Sequence, residues 1–209
     1  MNLRAIAFLL SAIVAAPAHA QLKITEVESS EAGGLHADWW EMTNFGNEAV
    51  SLDGYTFDDS SATIANGASL GSSLAIQPGE SIVFVETMTA QEFRTWWGNL
   101  LPATAKVVTY TGSGLGLSSG GDAVNVWDSK GVLVDSVKFG AAQAGVSFGF
   151  DPLTKSFGGL SVAGINGAFI AAENGDVGSP AAIPEPSSLL LGGLAVTLLA
   201  WRSRASRPM

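Results

Sequence analysis

Short runs of alternating apolar and polar residues, each cut off by glycine, asparagine or aspartate, fill the chain from Gln21 to Phe150. A two-residue period sends successive side chains to opposite faces, so these runs are expected as strands. Gln21–Val27 sets Leu22, Ile24 and Glu26 against Lys23, Thr25 and Val27 before Glu28-Ser29-Ser30 ends the pattern. Trp39–Phe45 puts Trp40 and Met42 on one face and Glu41 and Thr43 on the other, and Gly46-Asn47 turns the chain. Val50–Phe57 is broken at Asp53-Gly54, a strong turn dipeptide. Ser73–Ile76, Ser81–Glu86, Ala105–Tyr110, Asp122–Asp128, Val132–Phe139 and Val146–Phe150 continue the series. Many short strands at this spacing predict an all-β fold, a β-sandwich. One helix interrupts them. Thr89-Ala90-Gln91-Glu92 has the form of a capping box. Phe93, Trp96 and Trp97 then share one apolar face, which predicts docking on the sandwich rather than sugar stacking.

Charge narrows the partners. Between Gln21 and Ile183, about 160 residues and one domain by length, there are six basic and eighteen acidic side chains, a balance of −12. The whole chain is −9, so its ends mask how acidic this body is. Such a surface repels phosphate backbones, and no nucleic-acid partner is expected. Cysteine is absent, which excludes disulfides, thiol nucleophiles and cysteine-based zinc sites.

Catalytic patterns are few. Gly116-Leu117-Ser118-Ser119-Gly120 and Gly145-Val146-Ser147-Phe148-Gly149 both read G-x-S-x-G. A nucleophile elbow joins a strand to a helix, whereas both segments lie in strand-like, glycine-rich sequence. His36 is the one histidine beyond residue 20; it precedes both serines and is expected as a solvated loop residue. Gly112–Gly121 lacks the Lys-Ser/Thr of a phosphate loop. Asp53, Asp58 and Asp59 offer hard oxygen ligands suited to calcium but miss the EF-hand spacing, and each has a turn explanation. No catalytic residue, cofactor or metal is therefore expected, with these three aspartates the calcium candidates.

The ends carry addressing information. Met1–Arg4 is short and positive, Ala5–Val14 is apolar apart from Ser11, and Pro17 breaks the run. Ala18-His19-Ala20 then supplies small residues at the −3 and −1 positions, so a secretory signal peptide over residues 1–20 is expected to be cleaved before Gln21. At the other end, Pro184-Glu185-Pro186 precedes an apolar run of thirteen residues, Leu189–Trp201, and the basic residues Arg202, Arg204 and Arg207. A spanning helix wants roughly 20 apolar residues, so transient rather than permanent insertion is expected, with the basic cluster on the cytoplasmic side. This order of proline-flanked glutamate, hydrophobic helix and arginine cluster resembles the PEP-CTERM sorting signal of Gram-negative bacteria. The resemblance implies an exosortase-type membrane enzyme as partner, and release or transfer outward after processing.

The body resembles a second family. Asp38-Trp39-Trp40-Glu41-Met42-Thr43-Asn44 is similar to the D-W-[IV]-E-[LI]-x-N strand of the lamin-tail domain, with Trp40 where an aliphatic residue is usual. Val50–Asp59, Gln77-Pro78-Gly79-Glu80 and Phe93–Gly98 resemble its next segments in order. Leu117–Asp122, Asp128–Gly131, Val134–Val137 and Phe139-Gly140 resemble its end. The resemblance covers residues 22–150 and implies an immunoglobulin-like sandwich, expected over residues 21–180, before a tail at 181–209 with its hydrophobic helix. Asp151–Pro180 has no clear counterpart and is expected as one final strand over Ala168–Ala171 or a flexible neck. Together these readings predict an exported, non-enzymatic surface or extracellular-matrix module, binding polysaccharide or matrix. The alternatives are a calcium-stabilised adhesin or a secreted hydrolase.

Overall fold

The structure, a computed structural model, describes residues 22–182 apart from Leu153 and Lys155. The signal-peptide residues Ala18, Ala20 and Gln21, the tail residues Pro184, Glu185, Pro186, Arg202 and Arg204, and the expected C-terminal helix lie outside them. Among the described residues no helix is long and apolar enough to cross a membrane.

The first half of the fold holds β1 (Leu22–Glu28), β2 (Trp39–Asn44), β3 (Val50–Ser51), β4 (Thr56–Asp58), β5 (Ala68–Ser69), β6 (Ala75–Ile76) and β7 (Ser81–Glu86). Helix α1 (Ala90–Trp97) follows, then β8 (Lys106–Tyr110), β9 (Asp122–Trp127) and β10 (Leu133–Phe139). The chain closes with β11 (Phe148–Phe150), β12 (Phe157–Leu160), β13 (Phe169–Ile170) and β14 (Val177–Gly178). Six strands form one sheet in the order β12-β11-β1-β2-β7-β8, antiparallel except for the parallel β7–β8 pair. Four form the facing sheet in the order β10-β9-β4-β5. The two sheets make an immunoglobulin-like sandwich.

The core between the sheets is apolar. Ile24, Val27, Trp40, Met42, Phe57, Ile82, Phe84, Val124, Val126 and Val137 are all buried in it. Trp40 stacks on Phe84 at 4.4 Å and leans on Phe57 at 4.9 Å, so aromatic neighbours make room for the larger ring. Asp135 joins the sheets: its Oδ2 accepts the Ile24 amide at 2.9 Å and its Oδ1 lies 3.7 Å from Lys23 Nζ. At the β3–β4 turn Gly54 has φ 77°, where a Cβ would come 2.9 Å from that of Ser129.

One face assignment changes. Strict alternation puts Glu26 with Leu22 and Ile24, facing the core. The β1–β2 register instead slips between Ile24 and Glu26, with Ile24 opposite Met42 and Glu26 opposite Glu41. This bulge flips the phase, so Val27 joins Leu22 and Ile24 inside while Glu26 turns outward. Burying a bare carboxylate between two apolar sheets would cost far more than one unpaired ladder position.

A third layer covers the outer face of the six-stranded sheet. The capping box forms: Glu92 N donates to Thr89 Oγ1 at 3.2 Å, and Thr89 N donates to Glu92 Oε2 at 2.8 Å. Helix α1 sets Phe93, Trp96 and Trp97 against Trp39, Val83 and Val85. Residues from Ser161 to Ala182 cover the rest. The stretch after Asp151 is no flexible neck: it contains β12, the β13–β14 pair, and turns bonded back onto the sheet. The strand expected over Ala168–Ala171 is present as β13, whereas glycine-rich β12 and two-residue β14 show no period to read.

Candidate functional site

The outward side chains of β1 and β2 include a cross-strand pair of glutamates, Glu26 and Glu41, exposed to only 2% and 1%. Both are held by the chain that leads to the C-terminus. Glu26 Oε1 accepts the Ser147 hydroxyl, the Ser179 amide at 2.7 Å and the Ser161 hydroxyl at 3.3 Å. Its Oε2 accepts the Ser179 hydroxyl at 2.7 Å. Glu41 Oε2 accepts the Ala181 amide at 2.5 Å, and its Oε1 accepts Thr25 Oγ1 at 2.6 Å. Behind Thr25, hydroxyls run on through Thr43 at 3.1 Å to Ser81 at 2.7 Å. Gly178 lets this strap lie flat, because a Cβ there would come 2.8 Å from Trp97 and 3.1 Å from Glu26 Oε1.

Burial sets the protonation of this pair. Desolvation raises both carboxyls, and together with the neighbouring Glu26 charge it brings Glu41 to about 8. Hydrogen bonds from Ser147, Ser179 and Ser161 pull Glu26 back down. The two carboxyls lie across from each other and titrate as one pair, both pushed toward the protonated form by burial.

Further along the same face, burial and the Asp176 charge raise Glu28 well above its ordinary value, although Trp39 Nε1 donates to it at 2.6 Å. Asp176, raised by burial, accepts the Ala32 amide at 2.9 Å and Asn174 Nδ2 at 2.8 Å. Asn174 Oδ1 in turn accepts Trp96 Nε1 at 2.9 Å, so the strap and α1 are stitched together. Asp38, at the start of β2, is pushed up to about 7 by burial while accepting the Leu117 amide at 2.8 Å.

The residues singled out by sequence have partners within the chain. Asp53 Oδ1 accepts the Ser73 amide at 2.5 Å. Asp58 is buried, and its Oδ2 accepts the Ser61 hydroxyl and the Thr63 amide, both at 2.6 Å. Asp59 Oδ1 accepts the Ser61 amide at 2.8 Å. Among the described residues no group of three or more His, Asp or Glu side chains is placed to hold one metal ion. Ser118 lies in the β8–β9 loop, where its amide donates to Asp122 at 2.7 Å. Ser147 is buried against Glu26. His36 is not a solvated loop residue: it stacks on Trp96 at 4.5 Å with its Nε2 3.4 Å from Glu173.

A lamin tail domain family model matches residues 15–141, more than half of the chain. The chain belongs to the lamin tail domain family. The match spans the sandwich through β10 and stops before the strap, so the buried glutamates sit in the family's fold while most of their donors lie beyond the matched segment. A PEP-CTERM protein-sorting motif matches residues 182–205, starting one residue after Ala181. This lamin tail domain protein is thus exported through the inner membrane, sorted by its tail to the surface or extracellular space, and processed by an exosortase. No curated protein matches the chain. Sequence patterning missed Glu26, Ser147, Ser161 and Ser179 as one cluster; its one visible sign was a pair of glutamates inside strands otherwise rich in Trp, Val and Ile.

Proposed function

We propose that the mature domain is a non-enzymatic binding or structural module of the cell surface or extracellular matrix, presented once its tail has been processed. The observation that carries this reading is the use of the buried carboxylates. Glu26 and Glu41 have the proximity of an acid–base pair, yet they lie buried under the strap, which donates hydrogen bonds to both. Ser147 is likewise enclosed. Catalysis needs such groups within hydrogen-bond reach of a substrate, and here they fasten a segment instead. The balance of −12 favours neutral polysaccharide or basic polymer over polyanions as the ligand.

The test is co-sedimentation of the processed protein with extracellular polysaccharide from its own host, alongside assays for released sugar, phosphate and carboxylate. Retention on the polymer with no product released supports the module. Turnover of the polymer that survives Glu41→Gln but is lost on substituting an exposed residue would overturn it and reveal a surface active site.

A further inference from the structure

The described fold ends beside an apolar surface. The Ala181 amide is pinned to Glu41, and the Ala182 amide closes a turn on the Ser179 carbonyl at 2.9 Å. Seven residue steps separate Ala182 from Leu189, where the apolar run of the tail begins. Fully extended, they span at most about 25 Å. While the tail is inserted, the domain is therefore held close to the bilayer, with the side next to Ala182 tethered nearest to it.

That side is apolar. Loop 162–168 touches the exit: a Cβ on Gly167 would come 2.8 Å from that of Ala182, and Val162, Ile165 and Ser179 line one depression. Val162 is 60% exposed and Ile165 56%. Leu160 connects them to Phe157, 54% exposed, and to a shallow groove shared with Phe148 and Lys138. Scattered exposed apolar residues are ordinary, whereas a contiguous patch marks an interaction surface. Charge follows the same boundary. In a body with eighteen acidic side chains, residues 152–172 contain none, and Asp151 is the one acidic residue that lines the depression.

We infer that the face carrying Phe157, Leu160, Val162 and Ile165 docks on the lipid bilayer while the sorting tail is inserted. The inference rests on the reading of the tail as a membrane-inserting sorting signal and adds a second contact. Apolar side chains enter the headgroup boundary, and Lys138 reaches toward anionic headgroups along an apolar stem. An acidic domain would otherwise be repelled by an anionic membrane surface. With Asp151 the one acidic residue lining its depression, this face gives the domain an orientation in which it can approach.

The absence of cysteine makes the test clean, because a single introduced thiol is the sole labelling site. Ile165→Cys marks the proposed face. Leu35→Cys, on an 83% exposed side chain in the β1–β2 loop at the other end of the sheet, marks open solvent. Both replace exposed side chains, so neither disturbs the core. Each full-chain variant is spin-labelled, reconstituted into vesicles of phosphatidylethanolamine and phosphatidylglycerol, floated on a gradient, and probed with an aqueous relaxing agent and with oxygen. The expected result is co-flotation, with the label at 165 shielded from the aqueous agent and accessible to oxygen, and the reverse at 35. Co-flotation with equal aqueous access at both positions would overturn the docking face and leave the sorting-tail reading intact. Failure to float would overturn both.

Discussion

Two halves of one sheet face are closed in different ways. Under α1, the outer side of the six-stranded sheet meets Phe93, Trp96 and Trp97, which pack on Trp39 at centroid distances of 5.6 to 5.9 Å or on one another. Under the strap, it meets serines and backbone amides that donate to Glu26 and Glu41. The first half is stabilised by apolar area, which is indifferent to pH and tolerant of small shifts. The second depends on a few directed bonds to ionisable groups, and its strength depends on where the protons are. A chain that must hand its C-terminus to a processing enzyme has its exit fastened by the adjustable kind of contact.

The largest effects test the apolar half. Trp97→Ala removes a fully buried ring from α1 and is expected to cost about 3–5 kcal/mol, read as a lowered denaturant midpoint with an unchanged slope. Glu26→Ala comes next. It leaves the Ser147, Ser161 and Ser179 donors without their acceptor, an expected loss of about 1–3 kcal/mol. Faster hydrogen exchange at residues 176–182 than in β2 would show that the loss is local to the strap, whereas uniform acceleration would erase the distinction between the halves. Gly178→Ala drives a methyl group against Trp97 and Glu26 and is expected to cost about 1–3 kcal/mol through overpacking, again read at the strap.

The pH dependence sharpens the contrast. Glu41 binds its proton more tightly folded, with a value of about 8, than unfolded, near 4.5. Its contribution is therefore complete below pH 4.5 and is lost as pH rises toward 8, at up to about 1.4 kcal/mol per unit while only the folded state holds the proton. Thermal midpoints measured from pH 5 to pH 8 are expected to fall. Glu41→Gln, a permanent mimic of the neutral acid, removes its share of that slope, while the shares of Glu28 and Asp38 persist. An unchanged slope would show that Glu41 is already ionised in the fold. The smallest effect belongs to Asp59→Asn in its exposed turn, within about 0.5 kcal/mol of the parent.

Much of this protein is legible in the amino-acid sequence. A period of two in segments such as Ser81–Glu86, turn dipeptides such as Asp53-Gly54, and the Thr89–Glu92 capping box are local signals, written in neighbouring residues and read without knowing their partners. The helix and the strands from β1 to β11 except β5 follow from them, as do the lamin-tail resemblance and the sorting tail. Tertiary structure alone decided the rest. The bulge at Thr25 exists because Val27 and Glu26 had to exchange faces. Phe157–Leu160 became a strand only because β11 offered an edge, and Val177-Gly178 only because Phe169-Ile170 lay beside it. The buried carboxylate cluster joins residues 121 and 153 positions apart. Ser147, Ser161 and Ser179 are unremarkable polar residues in glycine-rich sequence until folding brings their hydroxyls to one oxygen-lined pocket. Local periodicity encodes which way a side chain points, but which donor meets which acceptor is set by the fold, where burying a carboxylate makes every available hydrogen bond count.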